Sequence, residues 1–122
     1  MRFEKCAMIA SDTLYARISG ELDRDKRRQT YECIAEMAVR WGASEVIIDK
    51  RAVTLPDCID DFCLNQWDHE PIAELLINAE VKRLLIATDK LDALSGCLIN
   101  SCRRRGMRAE CLAFFDILDA VA

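Results

Sequence analysis

Val46-Ile47-Ile48-Asp49 is the stretch from which the fold is read: three β-branched residues in an unbroken apolar run, closed by a carboxylate. A strand with one wet face alternates apolar and polar side chains, whereas a strand covered on both faces is apolar throughout. The run therefore predicts a central strand of a parallel sheet. A second run of the same kind, Val81 to Ala87, is closed by Thr88-Asp89. Parallel neighbours need a long crossover, and the chain between the two runs supplies one. Ile59, Phe62, Cys63, Gln66 and Trp67 recur at helical spacing, Pro71 interrupts, and Ile72, Leu75, Leu76 and Ala79 resume. The spacing predicts two helical pieces joined at residues 68–71.

Working outward toward the N-terminus, residues 4–10 and 13–19 are two short apolar-rich runs around Ser11-Asp12, which reads as a β-hairpin ended by Gly20. Asp23 or Asp25 can then cap a helix whose buried face is drawn by Tyr31, Ile34, Ala35, Ala38 and Trp41, with Gly42 as its stop. Its other face carries Arg28, Glu32, Glu36 and Arg40 at four-residue steps, a solvated charge ladder. Toward the C-terminus, Leu91, Leu94, Leu98 and Cys102 mark a helix ended by Gly106. Ala109 to Phe115 reads as a last strand and Ile117 to Val121 as a short terminal helix. The expected fold is a single α/β domain over residues 1–122. An N-terminal hairpin is followed by β-α units that build a mostly parallel five-stranded sheet. Right-handed crossovers put the helices mainly on one face and leave the opposite face thinly covered.

Composition narrows the functional classes. With 52% hydrophobic and 31% charged residues, and only four Gly and two Pro in 122, the chain is globular rather than disordered. A net charge of -4 opposes nonspecific nucleic-acid binding, which rests on clustered cations that neutralise phosphates. No stretch approaches the ~20 apolar residues of a membrane helix, so an integral membrane protein is not expected. The N-terminal apolar run lacks the length and cleavage pattern of a signal peptide, and a cytosolic protein is expected. In that compartment the seven cysteines read as thiols and not as a disulfide framework. Cys58 and Cys63, like Cys97 and Cys102, are five apart, about 140° around a helix, so each pair diverges. With no Cys-x-x-Cys and His69 as the single histidine, no metal site is expected.

Val46-Ile47-Ile48-Asp49, followed by Val53-Thr54-Leu55 and then Asp57-Cys58, resembles the central segment of the STAS domains, the anti-sigma factor antagonist fold of stage II sporulation protein AA. In that family a strand ending in Asp leads through an apolar stretch to Asp-Ser at a helix start, and the serine is the phosphorylated switch. The element order is similar over nearly the whole chain. The resemblance implies a regulatory module of the bacterial cytosol that works through protein partners. At the phosphoacceptor position, however, this sequence has Cys58, followed by Ile59-Asp60-Asp61 with no glycine. A thiol does not replace the hydroxyl for a serine kinase, and two neighbouring carboxylates oppose added negative charge. The chain is in this respect similar to the divergent branch of the superfamily that is compared with lipid-carrying SEC14 domains.

Four constellations are candidates for chemistry. Asp49, Asp89 and Asp116 each close a predicted strand and would share the carboxyl edge of the sheet, where they either bind Mg²⁺ or, as the plainer reading has it, cap helices. Lys82 and Arg83 open one strand, while Arg103, Arg104, Arg105 and Arg108 join a helix end to the next strand. In a parallel layout they form a basic rim that can take a phosphate or an acidic partner, unless it is merely solvated. Cys58, after Asp57, sits where a helix dipole favours a thiolate, but Asp57, Asp60 and Asp61 pull the other way. Trp67 and His69 flank the interrupted helix and can gate an apolar pocket. The expected function is a noncatalytic interaction module that binds a protein partner, or itself as a homodimer, through its sheet face or basic rim. The alternative is a carrier of a small apolar or lipidic ligand held beside Trp67, and a cysteine-dependent enzyme ranks behind both. No catalytic residue, cofactor or metal is expected.

Overall fold

Asp12 ties the N-terminal hairpin to the first parallel strand. Its backbone carbonyl accepts from the N–H groups of Ser44 and Glu45 at 2.9 and 3.0 Å, and its carboxylate accepts from the hydroxyls of Thr13 and Ser44. The computed structural model describes residues 2–54, 67–88 and 92–112. In chain order they form β1 (Arg2–Ala10), β2 (Thr13–Glu21), α1 (Arg24–Trp41), β3 (Glu45–Thr54), α2 (His69–Asn78), β4 (Arg83–Ala87), α3 (Ala93–Arg104) and β5 (Arg108–Leu112). The five strands lie in the order β1-β2-β3-β4-β5, with β1 antiparallel to β2 and every later pair parallel.

The register follows from the apolar rows. Leu14, Val46, Leu84 and Ala109 stand side by side across β2 to β5, as do Ala16, Ile48, Ile86 and Cys111 two residues along. A one-residue slip would turn every one of these side chains to the other face, so the pattern admits one alignment. Against these rows pack Tyr31, Ile34 and Ala38 of α1, Ile72 and Leu76 of α2, and Leu98 and Cys102 of α3, forming the main core. The α1 helix begins at Asp23, whose side chain accepts from the Lys26 N–H at 2.8 Å, and ends at Gly42, where φ of +70° suits a residue without Cβ.

Several expectations are corrected. Trp41 is 43% exposed instead of buried, because Gly42 turns the chain and Ala43 takes the core position beyond Ala38. Asp49 does not close its strand. β3 runs on to Thr54 because β2 is long enough to pair with it there, with Ser19, Gly20 and Glu21 opposite Ala52, Val53 and Thr54. Pro71 does not interrupt a helix. It is the third residue of α2, where a missing N–H is tolerated, and the break lies before it at Asp68, whose φ is +58°. The sheet face away from the helices is not open either: Tyr15, Ile47, Leu85 and Ala87 form a second cluster, with Tyr15 only 1% exposed. Aromatic and aliphatic area of that size is too unfavourable in water to be left bare. The predicted helix from Ile59 to Phe62 and on to Gln66, the strand residues 113–115, the terminal helix 117–121 and Leu91 lie outside the described residues.

Within the second cluster the Tyr15 hydroxyl donates to Asp49 Oδ2 at 2.6 Å, and the Arg51 N–H donates to Oδ1 at 3.1 Å. Burial, followed by the Asp49 hydrogen bond and charge, pushes the phenol up to about 12. Tyr15→Phe keeps the ring and removes only the donor to a buried carboxylate, and bonds of that kind contribute about 2 kcal/mol. A loss of that size in urea unfolding is expected. A variant as stable as the wild type would show that Arg51 alone satisfies Asp49.

Candidate functional site

At the carboxyl ends of β3 and β4, where open α/β sheets bind ligands, the starts of α2 and α3 meet the first turns of α1. Two cations are buried there. Arg27 of α1 is 2% exposed and Lys50 of β3 is 7% exposed. Lys50 follows Val46 and Ile48 on the helix-facing side of its strand, and its ammonium donates to Asp92 Oδ2 at 3.2 Å and to Ser95 Oγ at 2.7 Å. Asp92 is the N-cap of α3. It accepts from the Ser95 N–H at 2.8 Å and from the Ser95 hydroxyl at 2.9 Å, so one carboxylate both starts a helix and answers a buried amine.

Arg27 is held differently. Its guanidinium donates to the carbonyl of Trp67 and, at 3.5 Å, to that of Leu94, and it stands 3.5 Å from His69 Nδ1. Its centre lies 5.6 Å from the middle of the Tyr31 ring. One side chain of α1 thus fastens the chain just ahead of α2 and the first turn of α3. Beside it Arg24 meets Asp68 at 3.4 Å. Burial lowers the affinity of both Lys50 and Arg27 for their protons, most of all by desolvation. Burial alone would raise Asp92, but the Lys50 ammonium and the Ser95 donors outweigh it and hold Asp92 below its ordinary value. The arrangement spends its donors internally and locks this edge of the sheet.

The residues singled out in the sequence fall in three places. Trp67 and His69 belong to this cluster: Trp67 is half-buried and contributes its carbonyl, and His69 is buried against Arg27. Lys82, Arg83, Arg103 and Arg108 gather at the opposite edge. There Arg83 pairs in register with Arg108 and makes ion pairs with Glu45 at 3.5 Å and Glu110 at 3.8 Å. Arg103 donates to the Ala109 carbonyl at 2.8 Å. Arg104 and Arg105 turn away from that rim and grip Glu70 of α2, with the Ser101 hydroxyl donating to the same carboxylate at 2.9 Å. Arg104 foremost, then Ser101, hold Glu70 down to about 2. Asp57 and Cys58 lie outside the described residues, as do Asp89 and Asp116. Asp49 sits inside its strand on the far face, so the three-carboxylate edge read from the sequence does not include it. Among the described residues no group of three His, Cys, Asp or Glu side chains could hold a metal ion.

Arg27, Lys50 and Asp92 did not stand out as a site in the sequence. Arg27 lies in the charged run Asp23 to Arg28, and its one signal is that it precedes Tyr31 and Ile34 at helical spacing. For Lys50 the signal was its parity with Val46 and Ile48.

No family model matches the sequence, and no curated protein does. Solved structures match by shape. The anti-sigma factor antagonist SpoIIAA in its unphosphorylated form superposes with a TM-score of 0.54 at 14% identity, over 98% of this chain and 96% of that one. The phosphorylated form of SpoIIAA, the Bacillus cell fate determinant, gives 0.53 at 14% identity, over 99% and 100%. The chain has the STAS-type α/β fold. Among the described residues no helix is long and apolar enough to cross a membrane.

Proposed function

We propose that this chain is a noncatalytic, regulatory protein-interaction module of the cytosol, acting by docking a protein partner. The observation that carries the reading is the shape match to SpoIIAA over essentially the full length of both chains. The locked carboxyl edge supports it: Arg27 and Lys50, the groups best suited to recruit an anion there, are buried and occupied by Trp67, Leu94, Asp92 and Ser95. Binding then falls to the outer surface, and the rim of Lys82, Arg83, Arg103 and Arg108 is the surface we assign to an acidic partner. Lys82 and Arg108 are exposed and make no ion pair among the described residues. With Cys58 at the position that the STAS resemblance gives to the phosphoacceptor, we read the regulation as independent of serine phosphorylation there.

Affinity capture with the wild type and with a Lys82→Glu, Arg103→Glu, Arg108→Glu variant tests the reading. A protein retained by the wild type and lost by the folded variant is expected. Equal capture by both would remove the rim from the proposal. Native mass spectrometry of protein purified without detergent covers the other side, since a retained apolar small molecule in place of a protein partner would favour a carrier.

A further inference from the structure

The antiparallel pair β1 and β2 sets two cations against one another. Lys5 and Arg17 are register partners, a placement that brings β-carbons to about 5 Å. Like charges directly opposite one another disfavour a sheet. Both lie on the face away from the helices. Lys5 stands 6.0 Å from the centre of the Tyr15 ring, Tyr15 belongs to the cluster on that face, and Arg17 follows it by one strand period.

The nearest carboxylates are spent elsewhere. Asp49 pairs in register with Arg17 from β3, but it accepts from the Tyr15 hydroxyl at 2.6 Å and meets Arg51 at 3.3 Å. Glu4, beside Lys5 in the chain, accepts from the Ser19 hydroxyl and from Arg2 at 3.0 Å. Among the described residues neither Lys5 nor Arg17 has a carboxylate at ion-pair distance. Arg17 is the more exacting of the two: it is half-buried, its Nε is shut off from water, and that N–H donates to nothing among the described residues. Buried donors ordinarily find an acceptor. Arg83, whose Nε is likewise buried, at least has Glu45 at 3.5 Å and Glu110 at 3.8 Å.

We propose that Lys5 and Arg17 form an anion site on the sheet face away from the helices, and that its ligand is a phosphate group. Two adjacent positive charges match a dianion, whereas a single carboxylate would answer only one of them. The planar fork of a guanidinium fits the paired oxygens of phosphate, and the exposed Lys5 ammonium adds a point charge beside it. The bound anion relieves the repulsion that this cross-strand pair carries. The site lies on β1 and β2, whereas Lys82, Arg83 and Arg108 stand at the starts of β4 and β5, so it does not depend on the partner assigned to that rim.

Inorganic phosphate and O-phosphoserine are the probes, titrated calorimetrically into the intact chain with chloride added to hold the ionic strength constant. Saturable binding is expected for the wild type and for Lys82→Gln. In Arg17→Gln and in Lys5→Gln, each shown to be folded by its cooperative melt, it is expected to weaken roughly tenfold, as the loss of one charge-assisted hydrogen bond requires. Tighter binding of phosphoserine would identify a phosphomonoester as the source of the group, and binding of phosphate as tight or tighter a free oxyanion. Absence of saturable binding of both probes to the wild type overturns the proposal. Unweakened binding by the two variants, or an equal loss in Lys82→Gln, overturns it too. Lys5 is exposed, so Lys5→Gln decides the matter even where Arg17→Gln does not fold.

Discussion

Asp92→Ala is expected to lower the unfolding free energy by about 4 kcal/mol in urea titration at neutral pH. Losing the N-cap of α3 accounts for about 1 kcal/mol of this. The larger part comes from Lys50, whose ammonium would stay 7% exposed with no counter-charge, and breaking a buried pair typically costs about 3–5 kcal/mol. Shedding its proton does not rescue Lys50. From an ordinary value of 10.5, neutralising the amine at pH 7 costs about 5 kcal/mol, so the ceiling lies above the expected loss. Asp92→Asn separates the two contributions, because Asn caps a helix as well as Asp but carries no charge. A loss of about 3 kcal/mol is expected for it.

The same pair sets an acid limit. Asp92 is held below its ordinary value of 3.8 in the folded chain. A carboxyl depressed by folding binds its proton more readily when unfolded, so its contribution is fully present above that ordinary value. It is lost as the pH falls through the lower, folded one. The stability advantage of the wild type over Asp92→Asn should therefore be flat from neutrality down to about pH 4 and shrink below it. An advantage that persisted unchanged into strong acid would mean that the cap, and not the charge, holds this edge.

Arg27→Met, which keeps most of the aliphatic length of the side chain, is expected to destabilise by about 3 kcal/mol. Two effects compete. The desolvated guanidinium disappears, which favours the variant, but the Trp67 and Leu94 carbonyls cannot be removed with it and would lose their donor inside the protein. Each unsatisfied buried group costs about 1–3 kcal/mol, and the contact with the Tyr31 ring goes as well. With domains of this size stable by about 5–15 kcal/mol, the loss should show as a clear fall in denaturant midpoint. A neutral or stabilising result would show that water or a shifted backbone satisfies the two carbonyls, and that α1 does not fasten the starts of α2 and α3.

The apolar rows of β3 and β4, the Asp23 cap and the Gly42 stop were legible because each is a local pattern, imposed by the strand period, the orphan donors of a first turn or the left-handed end of a helix. Trp41 misled because periodicity speaks of a continuing helix, and Gly42 ends that helix one residue later. The rim was half legible: Arg83 and Arg108 do meet, but nothing near Arg104 or Arg105 in sequence announces Glu70, more than thirty residues away.

By itself, then, the sequence determined the alternation of strands and helices, the direction of the parallel strands and which side of each element faces the core, since burial of apolar area depends on spacing along the chain. Only the tertiary structure decided which charges are silent and which are answered. Arg27 is buried because the carbonyls of Trp67 and Leu94 converge on it, and Lys50 because Asp92 caps a helix beside it. Desolvating a cation is tolerable only where acceptors from distant segments arrive together, and no local pattern records that meeting.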